Sequence, residues 1–145
     1  MRVRWIGLGE FIGKLNKDKI AFVSQKLDQI GNVVFSSIKE EAPSLTGRLI
    51  KTLWLKKKGN LTREIWENSP YGIFVREDTK AHPIFPVKKK ALYWPGIRGG
   101  RPVASVWHPG TEANPYHVRG VENAMPEIDP IMVDLGMNIV ADLAR

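Results

Sequence analysis

The chain has 145 residues, of which 43% are hydrophobic and 26% are charged, a composition typical of a single folded domain. It contains no cysteine, which excludes disulfides, thiolate metal ligands and a cysteine nucleophile. No segment approaches the run of about 20 apolar residues that a membrane-spanning helix needs, so we expect a soluble protein without a membrane partner. The net charge of +7 favours a polyanionic or acidic partner.

The N-terminal part of the chain predicts a short strand at residues 3–6, an amphipathic segment at 8–15 and then one long helix. Apolar residues recur every three or four positions until Pro43, which is typical of a helix with one apolar stripe. They are Ile20, Val23, Leu27, Ile30, Val34 and Ile38. Further apolar residues widen the stripe, so we expect neighbours on two sides of this helix; they are Phe22, Val33 and Phe35.

A β-hairpin is expected after the long helix. Residues 43–49 predict a turn that leads into a strand over residues 49–56. This strand carries apolar side chains on both faces, which indicates cover on both sides. Gly59-Asn60 is typical of a tight hairpin turn, and residues 61–67 alternate as a returning strand.

The remainder of the chain predicts short strands and C-terminal helices. Residues 71–75 fit either a strand or a helical turn, and residues 84–87, 91–94 and 103–107 fit short strands. The pattern becomes helical after Tyr116, where Pro126 and Pro130 predict an interruption and a new helix that begins at Pro130. Together these elements predict an α+β fold over residues 1–145 as one domain. In it, an antiparallel β-sheet (a long hairpin plus shorter strands) is packed by a long N-terminal helix and by C-terminal helices.

Sequence motifs for catalysis are missing. The chain has no HExxH, no GxSxG nucleophile elbow, no Walker A loop and no GxGxxG. We therefore predict a protein that is not an enzyme, with no catalytic residues, no metal and no cofactor. The histidines His82, His108 and His117 lie near prolines in predicted loops, where packing and hydrogen bonding explain them. A metal-dependent hydrolase that uses them stays an alternative.

Basic residues near tryptophans are the candidate contacts with DNA or with assembly partners. They are Lys56, Lys57, Lys58, Lys88, Lys89, Lys90, Arg98 and Arg101. Basic groups beside aromatic rings are typical of single-stranded nucleic-acid binding, so a nucleic-acid-binding module without catalysis is a second alternative. Residues 1–110 carry 20 Lys and Arg against 9 Asp and Glu, and residues 111–145 carry 2 against 6. This asymmetry favours DNA or head-to-tail contact between copies.

Four segments, at residues 5–15, 42–49, 69–79 and 108–116, occur in an order that resembles a known family. The second reads A-P-x-x-T-G-x-L, the third shares Tyr71, Val75 and Thr79 with the pattern Y-A-x-x-V-E-x-G-T and has Asp78 in place of its glycine, and the fourth reads H-P-G-T-x-A-x-P followed by an aromatic residue. This order resembles the tail-component family of long-tailed bacteriophages, which are tail-completion or head–tail joining proteins.

The resemblance implies an α+β structural protein of the virion neck or tail, made in the host cytoplasm. It implies action through a homo-oligomeric ring that docks onto other neck, tail-tube or tail-terminator proteins, without catalysis or cofactor. A ring through which DNA passes would also suit the basic surface, as a proximity to packaged DNA that is independent of its sequence.

Overall fold

The computed structural model describes residues 17–44, 47–94, 96 and 100–143. Its elements follow the chain as α1 (Lys17–Glu41), α2 (Arg48–Lys51), β1 (Leu53–Lys57), β2 (Arg63–Glu67), α3 (Gly72–Arg76), β3 (His82–Ile84), β4 (Val106–His108) and α4 (Tyr116–Leu143). Helices combine with two small antiparallel sheets, β1–β2 and β3–β4, so the predicted α+β class is confirmed. The expected strand at 3–6 and the segment at 8–15 lie outside the described residues.

The chain divides into two units: unit 1 is Met1–Gly72 with Pro115–Arg145, and unit 2 is Ile73–Asn114. Every buried apolar residue of the described chain belongs to unit 1; they are Val23, Ile30, Val34, Ile38, Ala42, Leu49, Leu53, Ile65, Tyr116, Ala124, Ile128 and Leu135. None of the described residues of unit 2 is buried. The expectation of one domain over residues 1–145 stays a prediction.

In unit 1, α1 and α4 pack against each other and run antiparallel. At one end Glu41 accepts hydrogen bonds from Arg119 Nε at 2.9 Å and from Asn123 Nδ2 at 3.0 Å. At the other end Lys26 Nζ lies 2.6 Å from a carboxylate oxygen of Asp134. Glu41 is therefore bound by residues of α4, which the sequence of α1 alone does not show.

Helix α4 approaches α1 closely at Gly120, where a Cβ atom would lie only 2.6 Å from the Cα of Ile38. The helix also continues through Pro126 and Pro130, so the predicted interruption is wrong. Both prolines are exposed. The carbonyl groups four residues before them, which lose a backbone partner, lie on the side of the helix that water reaches. None of the described helices is long and apolar enough to cross a membrane.

The predicted hairpin is confirmed as β1–β2, in a register that runs from Leu53↔Glu67 to Lys57↔Arg63. The first strand begins at Leu53 and not at residue 49, because Gly47 adopts a left-handed conformation (φ 63°) and starts the helical turn α2. Cover on both faces of this strand is also wrong: Leu53 is buried, but Trp54 is 40% exposed. Only the face toward α1 is covered.

The elements of unit 2 are shorter than predicted and shifted along the chain. Strand β3 pairs with β4 in the register His82↔His108 to Ile84↔Val106. The predicted strand at 91–94 contributes an isolated bridge between Leu92 and Val103, and the predicted strand at 103–107 overlaps β4 at Val106 and Trp107. Residues 71–75 take the helical option as α3. Pro86 lacks a backbone N–H, and strand β3 ends before it.

Candidate assembly surface

Unit 2 is held together by backbone hydrogen bonds between distant residues. Thr79 and Thr111 exchange backbone bonds of 3.0 and 3.1 Å, and their hydroxyl groups lie 2.7 Å apart. Leu92 and Val103 exchange bonds of 2.8 and 3.0 Å. The described part of unit 2 has no buried apolar core, and these hydrogen bonds join its distant segments.

Gly110 is required where the two ends of unit 2 meet. Its φ of 92° belongs to the left-handed region, and a Cβ at this position would overlap the carbonyl oxygen of Thr79. The Thr79–Thr111 pair therefore joins two of the segments on which the family resemblance depends, those at 69–79 and 108–116.

The rings of His82 and His108 stack across β3–β4, with centroids 5.2 Å apart. His82 Nδ1 lies 2.8 Å from the carbonyl oxygen of Lys80, so that nitrogen carries a proton and donates. His108 Nδ1 lies 3.0 Å from the N–H of Gly110 and accepts, so the neutral ring carries its proton on Nε2.

A metal at His108 would need the Nε2 lone pair that this tautomer lacks. His117 belongs to α4, where its ring contacts Tyr116 edge-on at 5.7 Å. Across the described ranges, no group of three His, Asp or Glu residues is placed to hold a metal ion. The hypothesis of a metal-dependent hydrolase therefore finds no geometric support in this part of the chain.

Exposed apolar and basic side chains together cover unit 2. Of its aromatic residues, Trp107 is 66% exposed and Tyr93 is 64% exposed. We call the following exposed residues the unit 2 surface: Ile73, Phe74, Phe85, Val87, Lys88, Lys89, Lys90, Tyr93, Trp94, Arg101 and Trp107. A concentration of exposed apolar side chains marks an interaction site.

The eight predicted basic contacts are divided between the two units of the chain. Lys57 Nζ lies 3.4 Å from Asp28, and Lys58 Nζ lies 3.4 Å from Glu64, while Lys56 is exposed. The residues Lys88, Lys89, Lys90 and Arg101 are exposed in unit 2, and Arg98 lies outside the described residues. The lysines of the hairpin therefore include two that take part in ion pairs within unit 1.

Helix α4 carries a second apolar surface in unit 1. One stripe of exposed residues with a spacing of three or four runs along it; we call this the α4 outer face, and it consists of Val118, Glu122, Met125, Asp129, Met132, Val133, Gly136 and Val140. Its large apolar members are 43% to 65% exposed. Another side of α4 is buried at Leu135 and half-buried at Ile131 and Ile139, so α4 is apolar on two sides.

A buried arginine that the sequence reading passed over fixes the hairpin to α1. Arg63 donates from Nε to the carboxylate of Asp28, and from Nη2 to the carbonyl oxygen and the hydroxyl of Ser24 at 2.8 and 2.9 Å. Its Nη1 donates to backbone carbonyls of the hairpin turn. Its place between Leu61 and Ile65 in the strand alternation was the signal that this side chain points inward.

Two carboxylates of unit 1 have lowered pKa values. The hydrogen bond from Arg63 lowers the pKa of Asp28 below its ordinary value, and the positive charges of Arg63 and Lys57 act in the same direction. The hydrogen bond from Lys26 lowers the pKa of Asp134 in the same way. Both groups join α1 to a neighbouring element, so these shifts belong to the packing of unit 1.

Tyr116, the aromatic residue at the end of the segment at 108–116, anchors α4. Tyr116 is fully buried, and its hydroxyl donates to the carboxylate of Glu67 at 3.0 Å. That carboxylate fills the space where a side chain at Gly72 would lie. The segment at 108–116 therefore leads from the unit 2 sheet to a fixed first turn of α4.

Compared with family models, curated proteins and solved structures, the chain shows no significant match in any of the three.

Proposed function

We propose that the protein is a structural component of the neck or tail of a long-tailed bacteriophage. In this proposal it forms a homo-oligomeric ring and docks onto neighbouring neck, tail-tube or tail-terminator proteins, without catalysis. The order of the four sequence segments supports the choice of family. The observation that carries the assembly role is that unit 2 buries none of its described residues and yet exposes seven large apolar side chains.

An exposed apolar surface of this kind is unfavourable in an isolated chain. A small sheet gains little stability without an apolar face packed against a neighbour. Exposed Trp, Tyr and Phe side chains with Lys and Arg beside them are the residue types of interface centres and rims. Cover by partner subunits would supply the burial that unit 2 lacks.

The test has two parts, both on the full chain. Native mass spectrometry over a wide range of concentrations is expected to show a closed oligomer, or a monomer that assembles as the concentration rises. Immunogold electron microscopy of virions is expected to place the protein between head and tail. A monomer at all concentrations, together with labelling that is confined to infected-cell lysate, would overturn the proposal.

A second candidate function is sequence-independent binding of nucleic acid, which the exposed residues Lys88–Lys90, Tyr93, Trp94 and Trp107 favour. Bases can stack on such rings while lysines neutralise phosphates. It predicts binding to a single-stranded oligonucleotide that weakens steeply with salt, with a log–log slope of roughly −0.7 per phosphate neutralised. No binding in a fluorescence anisotropy titration at low salt would remove this candidate.

A further inference from the structure

We infer that the α4 outer face of one copy is the docking site for the unit 2 surface of the next copy. The inference rests on the proposed ring-forming function and deepens it, because it names the two surfaces that meet. The occupant of each surface is a second copy of this chain.

Charge is the first observation that supports this pairing. Residues 73–114 carry 7 Lys and Arg against 3 Asp and Glu, whereas residues 116–143 carry 1 against 5. The single arginine of α4, Arg119, is bound to Glu41, and Asp134 is bound to Lys26. Glu122 and Asp129 have no ion-pair partner within the described ranges and lie in the middle of the outer face. They are available to the lysines of a second copy.

The same charges argue against symmetric alternatives. An isologous contact between two α4 outer faces would place Glu122 and Asp129 of each copy near those of the other. An isologous contact between two unit 2 surfaces would place Lys88–Lys90 against the same lysines. Like charges that meet across an interface oppose association, so the complementary arrangement is the heterologous one. Repetition of a heterologous contact closes into a ring or extends as a filament.

The apolar side chains also complement each other. The α4 outer face presents Met125 and Met132, whose flexible thioethers adapt to irregular partners and make favourable contacts with aromatic rings. The unit 2 surface presents Phe85, Tyr93 and Trp107. From Val118 to Val140 the stripe is about 33 Å long at 1.5 Å per residue, so several aromatic rings can lie along it.

The decisive experiment is a charge reversal on each surface and a mixture of the two variants. Variant A carries Lys88→Glu, Lys89→Glu and Lys90→Glu, and variant B carries Glu122→Lys and Asp129→Lys. Sedimentation equilibrium is expected to show self-association weakened by at least about tenfold in each variant alone, because like charges then face each other. An equimolar mixture is expected to regain the assembled mass. The acidic unit 2 of variant A then meets the basic α4 of variant B, and the unchanged basic unit 2 of variant B meets the unchanged acidic α4 of variant A.

Matched controls separate docking from general charge and from folding. Lys51→Glu and Glu40→Lys reverse exposed charges that belong to neither surface and are expected to leave the assembled mass unchanged. Circular dichroism must show wild-type helix content in variants A and B. If variant B does not fold, the single change Asp129→Lys at an exposed position takes its place.

The outcomes distinguish this inference from the proposed function. Assembly of the wild type that neither variant weakens, or a mixture that fails to regain assembly, overturns the pairing and leaves the proposed function in place. A wild type that stays monomeric and is missing from virions overturns both. If variant A loses binding to a single-stranded oligonucleotide while self-association is unchanged, nucleic acid is the occupant of unit 2, and the pairing is wrong.

Discussion

In unit 1, apolar side chains of α1, α4 and the hairpin are buried. The guanidinium group of Arg63 is also buried, and it donates a hydrogen bond from each of its three nitrogens. In unit 2, every described side chain keeps some contact with solvent, and paired backbone groups at Thr79–Thr111 and Leu92–Val103 define the structure. Unit 1 thus contains its own source of stability, whereas unit 2 gains burial only when something covers it. Unit 1 therefore has the properties of a scaffold, and unit 2 has those of a surface that is suited to assembly.

Among the charged residues of unit 1, removal of Arg63 is expected to have the largest effect on stability. Arg63→Met leaves the carbonyl of Ser24 and the hairpin turn without their donor. We expect a loss of about 3 kcal/mol, at the low end for a broken buried charge pair because Asp28 can regain water. Urea unfolding followed by circular dichroism measures it. Lys56→Met, an exposed change in the adjacent strand, should stay within about 0.5 kcal/mol; equal effects of the two would contradict the role given to Arg63.

Gly120 and Gly136 both lie in α4, and alanine at these two positions is expected to change the stability in opposite directions. Gly120→Ala places a Cβ 2.6 Å from the backbone of Ile38 and should cost about 1–3 kcal/mol through overpacking. Gly136→Ala meets nothing within 4 Å and should stabilise the helix by roughly 0.5–1 kcal/mol. Thermal unfolding of the dilute protein compares them. If both changes stabilise, α4 does not approach α1 as closely as the structure shows.

The sequence predicts the elements whose signals are local. The stripe from Val23 to Ile38 defines α1, and Gly59-Asn60 defines the hairpin turn, since helix periodicity and turn chemistry act over a few residues. Pro126 and Pro130 predict a break in the C-terminal helix because proline removes a backbone hydrogen bond. Whether the helix continues through them depends on which of its sides faces water. That side is set by tertiary packing.

The candidate site was harder to predict for the same reason. The basic runs are visible in the sequence, but whether a lysine such as Lys57 has a partner depends on Asp28, which lies 29 residues away along the chain. Burial of Arg63 also depends on α1. The exposure of side chains such as Tyr93 and Trp107 depends on which distant residues pack against them, and local patterns carry no such information.

Acid is expected to weaken unit 1 through the ion pair between Asp28 and Arg63. The pKa of Asp28 in the folded state is below its ordinary value of 3.8, so its stabilising effect is fully present above that value and is lost as the pH falls through the lowered one. Asp28→Asn removes this carboxylate, so the variant should lose less stability than the wild type when the pH falls below the lowered pKa of Asp28. The expected loss of stability is smaller than that caused by Gly120→Ala, because the Asp28 side chain is 44% exposed. Asp78→Asn, an exposed change in unit 2, is the control.

The smallest effect on folding is expected from an exposed tryptophan of unit 2. Trp107 is 66% exposed, so Trp107→Ala should change the stability of the dilute protein by less than about 0.5 kcal/mol. Tyr116→Ala, the matched change at a fully buried aromatic residue of unit 1, should cost about 3–5 kcal/mol, as truncation of a buried aromatic side chain does. Urea unfolding at low concentration measures both. In the proposed assembly a second copy covers the ring, so the same Trp107→Ala protein should then assemble less readily at high concentration. A loss of several kcal/mol in the dilute protein would instead mean that unit 2 depends on Trp107 for its own folding, and the contrast between the two units would fail at this residue.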